Sequence, residues 1–145
     1  MKVTINDTTF NFQPWRPELG RVFNTVYSFD SETTLIDKAR PWITPACVLC
    51  AAFDGSSGYI IRREHVADFF SAHRDVPVVM HNAPFDLAVI HTLSAELNIY
   101  EWVDHDIVWD TQLMHRGYML ASEGHTSPDC LVAIGGKVFR PRCVN

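Results

Sequence analysis

The sequence predicts a mixed α/β domain: a three-stranded antiparallel meander, then alternating helix and strand, forming one sheet flanked by helices. Three observations predict it. Strand-like segments follow one another between residues 26 and 62, the last two joined by the turn-forming run Asp54-Gly55-Ser56-Ser57-Gly58. Beyond them the apolar spacing changes to that of helices. Short uninterrupted apolar runs then fall between those helices, as in strands covered on both faces.

In chain order, residues 1–25 carry Pro14 and Pro17 on either side of Trp15 and Arg16, and read as a lead-in arm. VYSFDSET (26–33) reads as a strand that turns polar at its end, followed by a loop with Pro41 and Pro45. ACVLCAAF (46–53) and YIIR (59–62) complete the meander. EHVADFFSAH (64–73) places Val66, Phe69 and Phe70 at helical spacing. Pro77 opens the strand VVM, which ends in His81-Asn82. In the next helix Asn82 is placed to cap and Pro84 suits the first turn, while Leu87, Ile90, Leu93 and Leu97 line one face. DIVW (106–109) is a further strand, and TQLMHRGYML after Asp110 a further helix. Ser127-Pro128 opens a short helix that Gly135-Gly136 stops.

The 145 residues are one domain's worth, with 47% hydrophobic and 20% charged residues, the balance of a globular domain with a substantial core. A net charge of -5 argues against a broad electrostatic grip on nucleic acid, yet an acidic site for divalent cations is itself negative. No signal-peptide pattern opens the chain and no apolar run reaches membrane-span length, so a cytoplasmic protein with no membrane partner is expected. The cysteines are Cys47, Cys50, Cys130 and Cys143. Cys47 and Cys50 make a Cys-x-x-Cys, which raises zinc and redox readings. In a regular strand residues three apart point to opposite faces, so buried free thiols are expected instead.

Asp30 and Glu32, two apart in one strand, leave the same face. Two readings are open: a solvated strand end, or like charges that a cation compensates. Asp86 falls in the first turn of a helix just past a buried strand, where it complements the helix dipole. Sites in open α/β sheets gather at the carboxyl ends of strands. If the first and fourth strands are parallel neighbours, Asp30, Glu32 and Asp86 converge there as a hard-cation site suited to Mg²⁺ or Mn²⁺.

At these residues a resemblance appears. FDSET resembles the first motif (Asp-x-Glu-Thr) of the DnaQ-like, or DEDD, 3′–5′ exonucleases, and HNAPFD their second, Asn-x-x-x-Asp with an aromatic before the last residue. VWDTQLMHRGYML and HTSPDCL resemble downstream segments of the proofreading domains of family A DNA polymerases. The resemblance covers about residues 26–134 and implies a ribonuclease H-like mixed sheet. It implies that Asp30 bridges two Mg²⁺ or Mn²⁺ ions, Glu32 holds one and Asp86 contacts the other through water. Thr33, Asn82 and Phe85 would then lie near the 3′-terminal nucleotide. The implied reaction is hydrolysis of terminal phosphodiesters of single-stranded DNA, with RNA not excluded, releasing nucleoside monophosphates. Asp110 is implied to be mainly structural.

The family pattern also needs a third motif, Tyr-x-x-x-Asp or His-x-x-x-x-Asp, on a later helix. No Asp or Glu follows Asp129. His125 and Asp129 have a similar spacing but come early, with Ser127-Pro128 between them. The expectation is a 26–145 exonuclease-like domain cut before its last helix, a fragment of a bacterial or phage-like enzyme. Weak or absent activity is expected from this chain alone, with an exposed apolar strip open to a polymerase domain or a second copy. The competing expectation is an inactive module of the same fold that binds nucleic acid or protein.

Overall fold

The computed structural model describes residues 1–123. Its centre is the expected meander: β3 (Tyr27–Thr33), β4 (Cys47–Phe53) and β5 (Gly58–Arg62), all antiparallel neighbours. The β4–β5 turn forms as its sequence indicates. Asp54 Oδ1 accepts the N–H groups of Ser56 (2.9 Å) and Ser57 (2.7 Å), and Gly55 takes the positive φ (95°) that a side chain resists. β6 (Val78–Met80) then runs parallel to β3, and β7 (Val108–Asp110) parallel to β6.

Residues 1–25 are not an arm. β1 (Lys2–Ile5) and β2 (Thr8–Pro14) form an antiparallel hairpin whose second strand pairs in parallel with β5. The turn between them is made by Asn6 and Asp7, both at positive φ (47° and 63°), a conformation these two residue types tolerate. Trp15, read as part of the arm, is 1% exposed and packs edge-on against Phe69 at 5.2 Å. The sheet order is β1-β2-β5-β4-β3-β6-β7. From β5 to β7 this is the expected mixed sheet, with the strand that carries Asp30 and Glu32 in the middle.

Two helices cover one face. α1 (Val66–Ala72) buries Val66, Phe69 and Phe70, the spacing read from sequence. α2 (Ala83–Leu93) buries Ala83, Leu87, Val89 and Ile90, and ends before Leu97, which lies in a separate 3₁₀ turn (Ala95–Leu97). Ser94 in extended conformation breaks the helix there. A one-turn α3 (Glu101–Asp104), which the sequence reading left out, buries Trp102 against Phe70. α4 (Thr111–Glu123) leaves Leu113, Met114, Tyr118 and Leu120 exposed. Among the described residues no helix is long and apolar enough to cross a membrane.

The cysteines are free and buried as expected, but they do not point to opposite faces, for a local reason. Thr33 pairs with Cys47 while Glu32 pairs with Leu49, so Val48 is an extra residue, a β-bulge. The bulge reverses the strand's alternation at that point. Cys47 and Cys50 therefore both face the core, free and buried, with Sγ atoms 3.6 Å apart.

Candidate active site

β3 alternates inward Tyr27, Phe29 and Ser31 with outward Ser28, Asp30 and Glu32. The buried set joins the core, and so Asp30 and Glu32 leave the solvent-facing side together, near the strand's carboxyl end. β6 pairs with β3 only at Tyr27↔Val78 and Ser28↔Val79. Past that point β6 has turned into α2, and the Ser31 N–H, left without a strand partner, donates to Asp86 Oδ1 at 3.0 Å. The Ser31 hydroxyl donates to the same oxygen. Asp86 is 2% exposed. The first turn of α2 thus brings Asp86 to the end of β3, at the sheet position β6 has vacated.

Electrostatics tie the three carboxylates together. Asp30 is pushed above the usual carboxylate range by partial burial and then by the charge of Glu32, with His81 opposing. Asp86 is pushed up to about 6 by burial, with the Ser31 hydroxyl bond opposing and the Asp30 charge adding to the rise. Among the described residues no Lys or Arg makes an ion pair with any of the three; the ion pairs are Arg21–Asp75, Arg40–Asp37 and Arg62–Glu64. As a chemical set they suit a hard divalent cation: oxygen donors, mutually repelling, without a basic partner. As geometry the set is partial. Among the described residues no three His, Cys, Asp or Glu side chains converge to hold a metal. Asp30 and Glu32 share a face, while Asp86 is turned to Ser31.

Of the remaining site candidates, Thr33 is half-buried and its hydroxyl donates to the Thr34 carbonyl (3.0 Å). Phe85 packs against the core. Asn82 is exposed and left-handed (φ 62°), and its side chain does not cap α2. That role falls to Asp110. Asp110 accepts the Asn82 N–H (3.2 Å) and Ala83 N–H (3.0 Å) at the start of α2. It also accepts the Gln112 N–H (2.8 Å) and Leu113 N–H (3.3 Å) at the start of α4. One carboxylate therefore closes two helix N-termini, satisfying donors that would otherwise lack partners. His125 and Asp129 lie outside the described residues.

Two residues that matter here were missed in the sequence. Ser31 reads as a spacer in Asp-x-Glu, yet it is what holds Asp86. His81 sits at the end of β6, close enough to Asp30 to favour its charged form. The Thr111 hydroxyl donates to the Met80 carbonyl (3.2 Å), so its oxygen accepts from His81 Nδ1 at 3.0 Å. His81 Nδ1 therefore carries a proton. Only the placement of His81 before Asn82 at a strand end signalled it.

No protein-family model matches the chain, and no curated protein does. Solved structures do show similarity. Escherichia coli RNase D, an exoribonuclease involved in structured RNA processing, aligns with 16% identity and a TM-score of 0.47 over 83% of this chain and 35% of that one. The Aedes aegypti Nibbler EXO domain aligns with 14% identity and a TM-score of 0.46, over 83% of this chain and 53% of that one. The chain spans about a third of the first structure's length and about half of the second's.

Proposed function

We propose that this chain is a metal-dependent 3′–5′ exonuclease-type domain that hydrolyses the terminal phosphodiester of a single-stranded nucleic acid and releases nucleoside monophosphates. The observation that carries the reading is the adjacency of β3 and β6. It supports the reading because Asp86 contacts Ser31, which stands between Asp30 and Glu32, and the order and motif context (Asp-x-Glu-Thr, then Asn-x-x-x-Asp) resemble those of the DnaQ-like exonucleases. Asp30 and Glu32 would hold Mg²⁺ or Mn²⁺ from the open face, with Asp86 completing the negative field behind Asp30. A bound divalent cation supplies charge stabilisation at the scissile phosphate and at the leaving 3′ oxygen. Thr33, Asn82 and Phe85 would position the terminal nucleotide. Asp110 keeps the start of α2, and with it Asp86, in place. DNA is the substrate that the proofreading-type motifs favour, and the assay below distinguishes it from RNA.

The test pairs a binding measurement with turnover. Mn²⁺ should raise the thermal midpoint of the full chain, as a ligand of the folded state must. The shift should vanish in Asp30→Asn and in Glu32→Gln. With 5′-labelled DNA and RNA strands in Mn²⁺, slow single-nucleotide laddering should appear and be lost in Asp30→Ala. A second reading is favoured by the partial convergence of the carboxylates. In it the fold is kept as an inactive module that docks nucleic acid or protein. Absence of any Mn²⁺ stabilisation together with absence of laddering decides for that module.

A further inference from the structure

The Cys47–Cys50 pair plays no part in the site described above, and its arrangement is unusual for a strand. The Val48 bulge sets two thiols at contact distance inside the core, 3.6 Å apart. Among the described residues no further His, Cys, Asp or Glu joins them as a metal-holding group, and a structural zinc needs four ligands. The pair is a dithiol. Its two members differ in what surrounds them. Cys47 is the first residue of β4, directly after the 34–46 connection; burial pushes its thiol up, with the Cys50 contact and then the Arg63 guanidinium opposing. Cys50 is fully buried and is the register partner of Ser31, the residue that holds Asp86. Burial and the neighbouring Cys47, Asp86 and Asp30 push its thiol far up.

We propose that Cys47 and Cys50 are an oxidisable dithiol that closes to a disulfide across the Val48 bulge, with a hydroperoxide as the oxidant. Opening at the start of β4, where Val48 is already half exposed and the ladder is interrupted, uncovers Cys47 first. The Cys47 thiolate attacks the terminal peroxide oxygen. An S–O bond forms, the O–O bond breaks, and the departing oxygen takes up the proton that Cys47 released. The Cys50 sulfur then attacks the sulfenic sulfur of Cys47. The S–S bond forms, the S–O bond breaks, and hydroxide leaves with the Cys50 proton as water. Two thiols lose two electrons in all, and one hydroperoxide gains them. Closure draws the sulfurs from 3.6 Å to about 2.05 Å. The segment that must yield is the bulged one, and the pull reaches Ser31 through its pairing with Cys50. The disulfide is therefore formed directly under the Ser31–Asp86 contact, independently of whether that site turns over.

The experiment uses the full chain carrying Cys130→Ser and Cys143→Ser, so that Cys47 and Cys50 are its only thiols. The folded protein is treated with hydrogen peroxide, unfolded in denaturant with N-ethylmaleimide, and weighed intact. The expected product is a single chain lighter by two hydrogens that takes no label, and takes two labels after reduction with dithiothreitol. In the same background Cys50→Ser should stop at a sulfenic acid on Cys47 that dimedone captures. Full labelling of both thiols after peroxide overturns the proposal, as does a disulfide found only between two chains. Should Cys50→Ser fail to fold, the labelling of the two-thiol chain decides alone.

Discussion

Asp86 accepts both the backbone N–H and the hydroxyl of Ser31 on one carboxylate oxygen, across 55 residues of sequence. The contact replaces the strand pairing that β6 abandons, so an ionisable side chain finishes the sheet. A buried carboxylate pays for that position with solvation. Its pKa stands at about 6, raised by burial and by Asp30, against about 3.9 in an unfolded chain. The folded state thus binds the Asp86 proton more tightly than the unfolded state. The stability tied to that proton is present below about pH 4 and lost as pH rises through about 6. Asp86→Asn keeps an oxygen for Ser31 and removes the charge. It should raise unfolding free energy at pH 8 by about 1–2 kcal/mol relative to the parent, and by little at pH 4. Urea unfolding of the two chains at both pH values checks this, and parallel pH profiles would refute it. The same substitution should blunt the Mn²⁺ response, so stability and site are in opposition at this residue.

His73 gives the opposite sign. Its Nδ1 donates to the Phe69 carbonyl at 2.7 Å, and Nε2 accepts the N–H groups of Val22 (3.0 Å) and Phe23 (3.2 Å). Only the neutral ring can do both, and burial accordingly lowers its pKa. Unfolded chains take up that proton near pH 6.5, the folded one at lower pH, so the contribution of His73 is full above about 6.5 and is lost as pH falls below it. His73→Ala should cost about 2–4 kcal/mol at pH 7.5 through the cavity and the two orphaned N–H groups. It should also remove the fall in stability between about pH 6.5 and 5. A variant that keeps this acid-side fall would show that another group causes it.

Asp110 is the residue whose loss should damage the site without touching it. Asp110→Ala leaves four backbone donors at two helix starts without their acceptor. An N-cap loss costs about 1 kcal/mol, so two together should cost about 2–3 kcal/mol in urea unfolding. Asp110→Asn, which keeps an acceptor but not the charge at two positive helix ends, should recover roughly half. A loss under 0.5 kcal/mol, on the order of a plain surface substitution, would show that the clamp is not formed in solution.

The central strands, the α1 and α2 faces and the Asp30–Glu32 pair were legible because each rests on local periodicity. VYSFDSET alternates, and Val66, Phe69 and Phe70 recur at helical spacing. What was not legible depends on long-range pairing. KVTI and TTFNFQP would make only a two-stranded hairpin, which is marginal by itself; it is held because β2 finds the free edge of β5. The Val48 bulge is a mismatch between two strands, so no reading of ACVLCAAF by itself could reveal that Cys47 and Cys50 meet. The α2 cap was assigned to the nearest residue of the right type, Asn82, when the acceptor comes from Asp110, 28 positions later. At the candidate site the sequence placed the acids on their elements, but Ser31 turns Asp86 inward, a detail set by where β6 happens to end.

The attachment of the N-terminal hairpin can be tested at Gly58, the register partner of Phe12. A Cβ on Gly58 would stand 2.5 Å from Cδ1 and Cε1 of the Phe12 ring. The ring is itself 8% exposed and stacked on Phe53 at 5.6 Å, so it has little room to withdraw. Gly58→Ala should therefore cost about 1–3 kcal/mol by overpacking, although alanine is otherwise a mild change in a strand. Phe12→Leu alone should cost about 1–2 kcal/mol through lost packing. Made together, the two changes should cost less than their sum by at least 0.5 kcal/mol, because the smaller side chain yields the space the methyl needs. Additive costs in that double-mutant cycle would mean Phe12 does not lie over Gly58. The first strands would then be the loose arm that their sequence suggests.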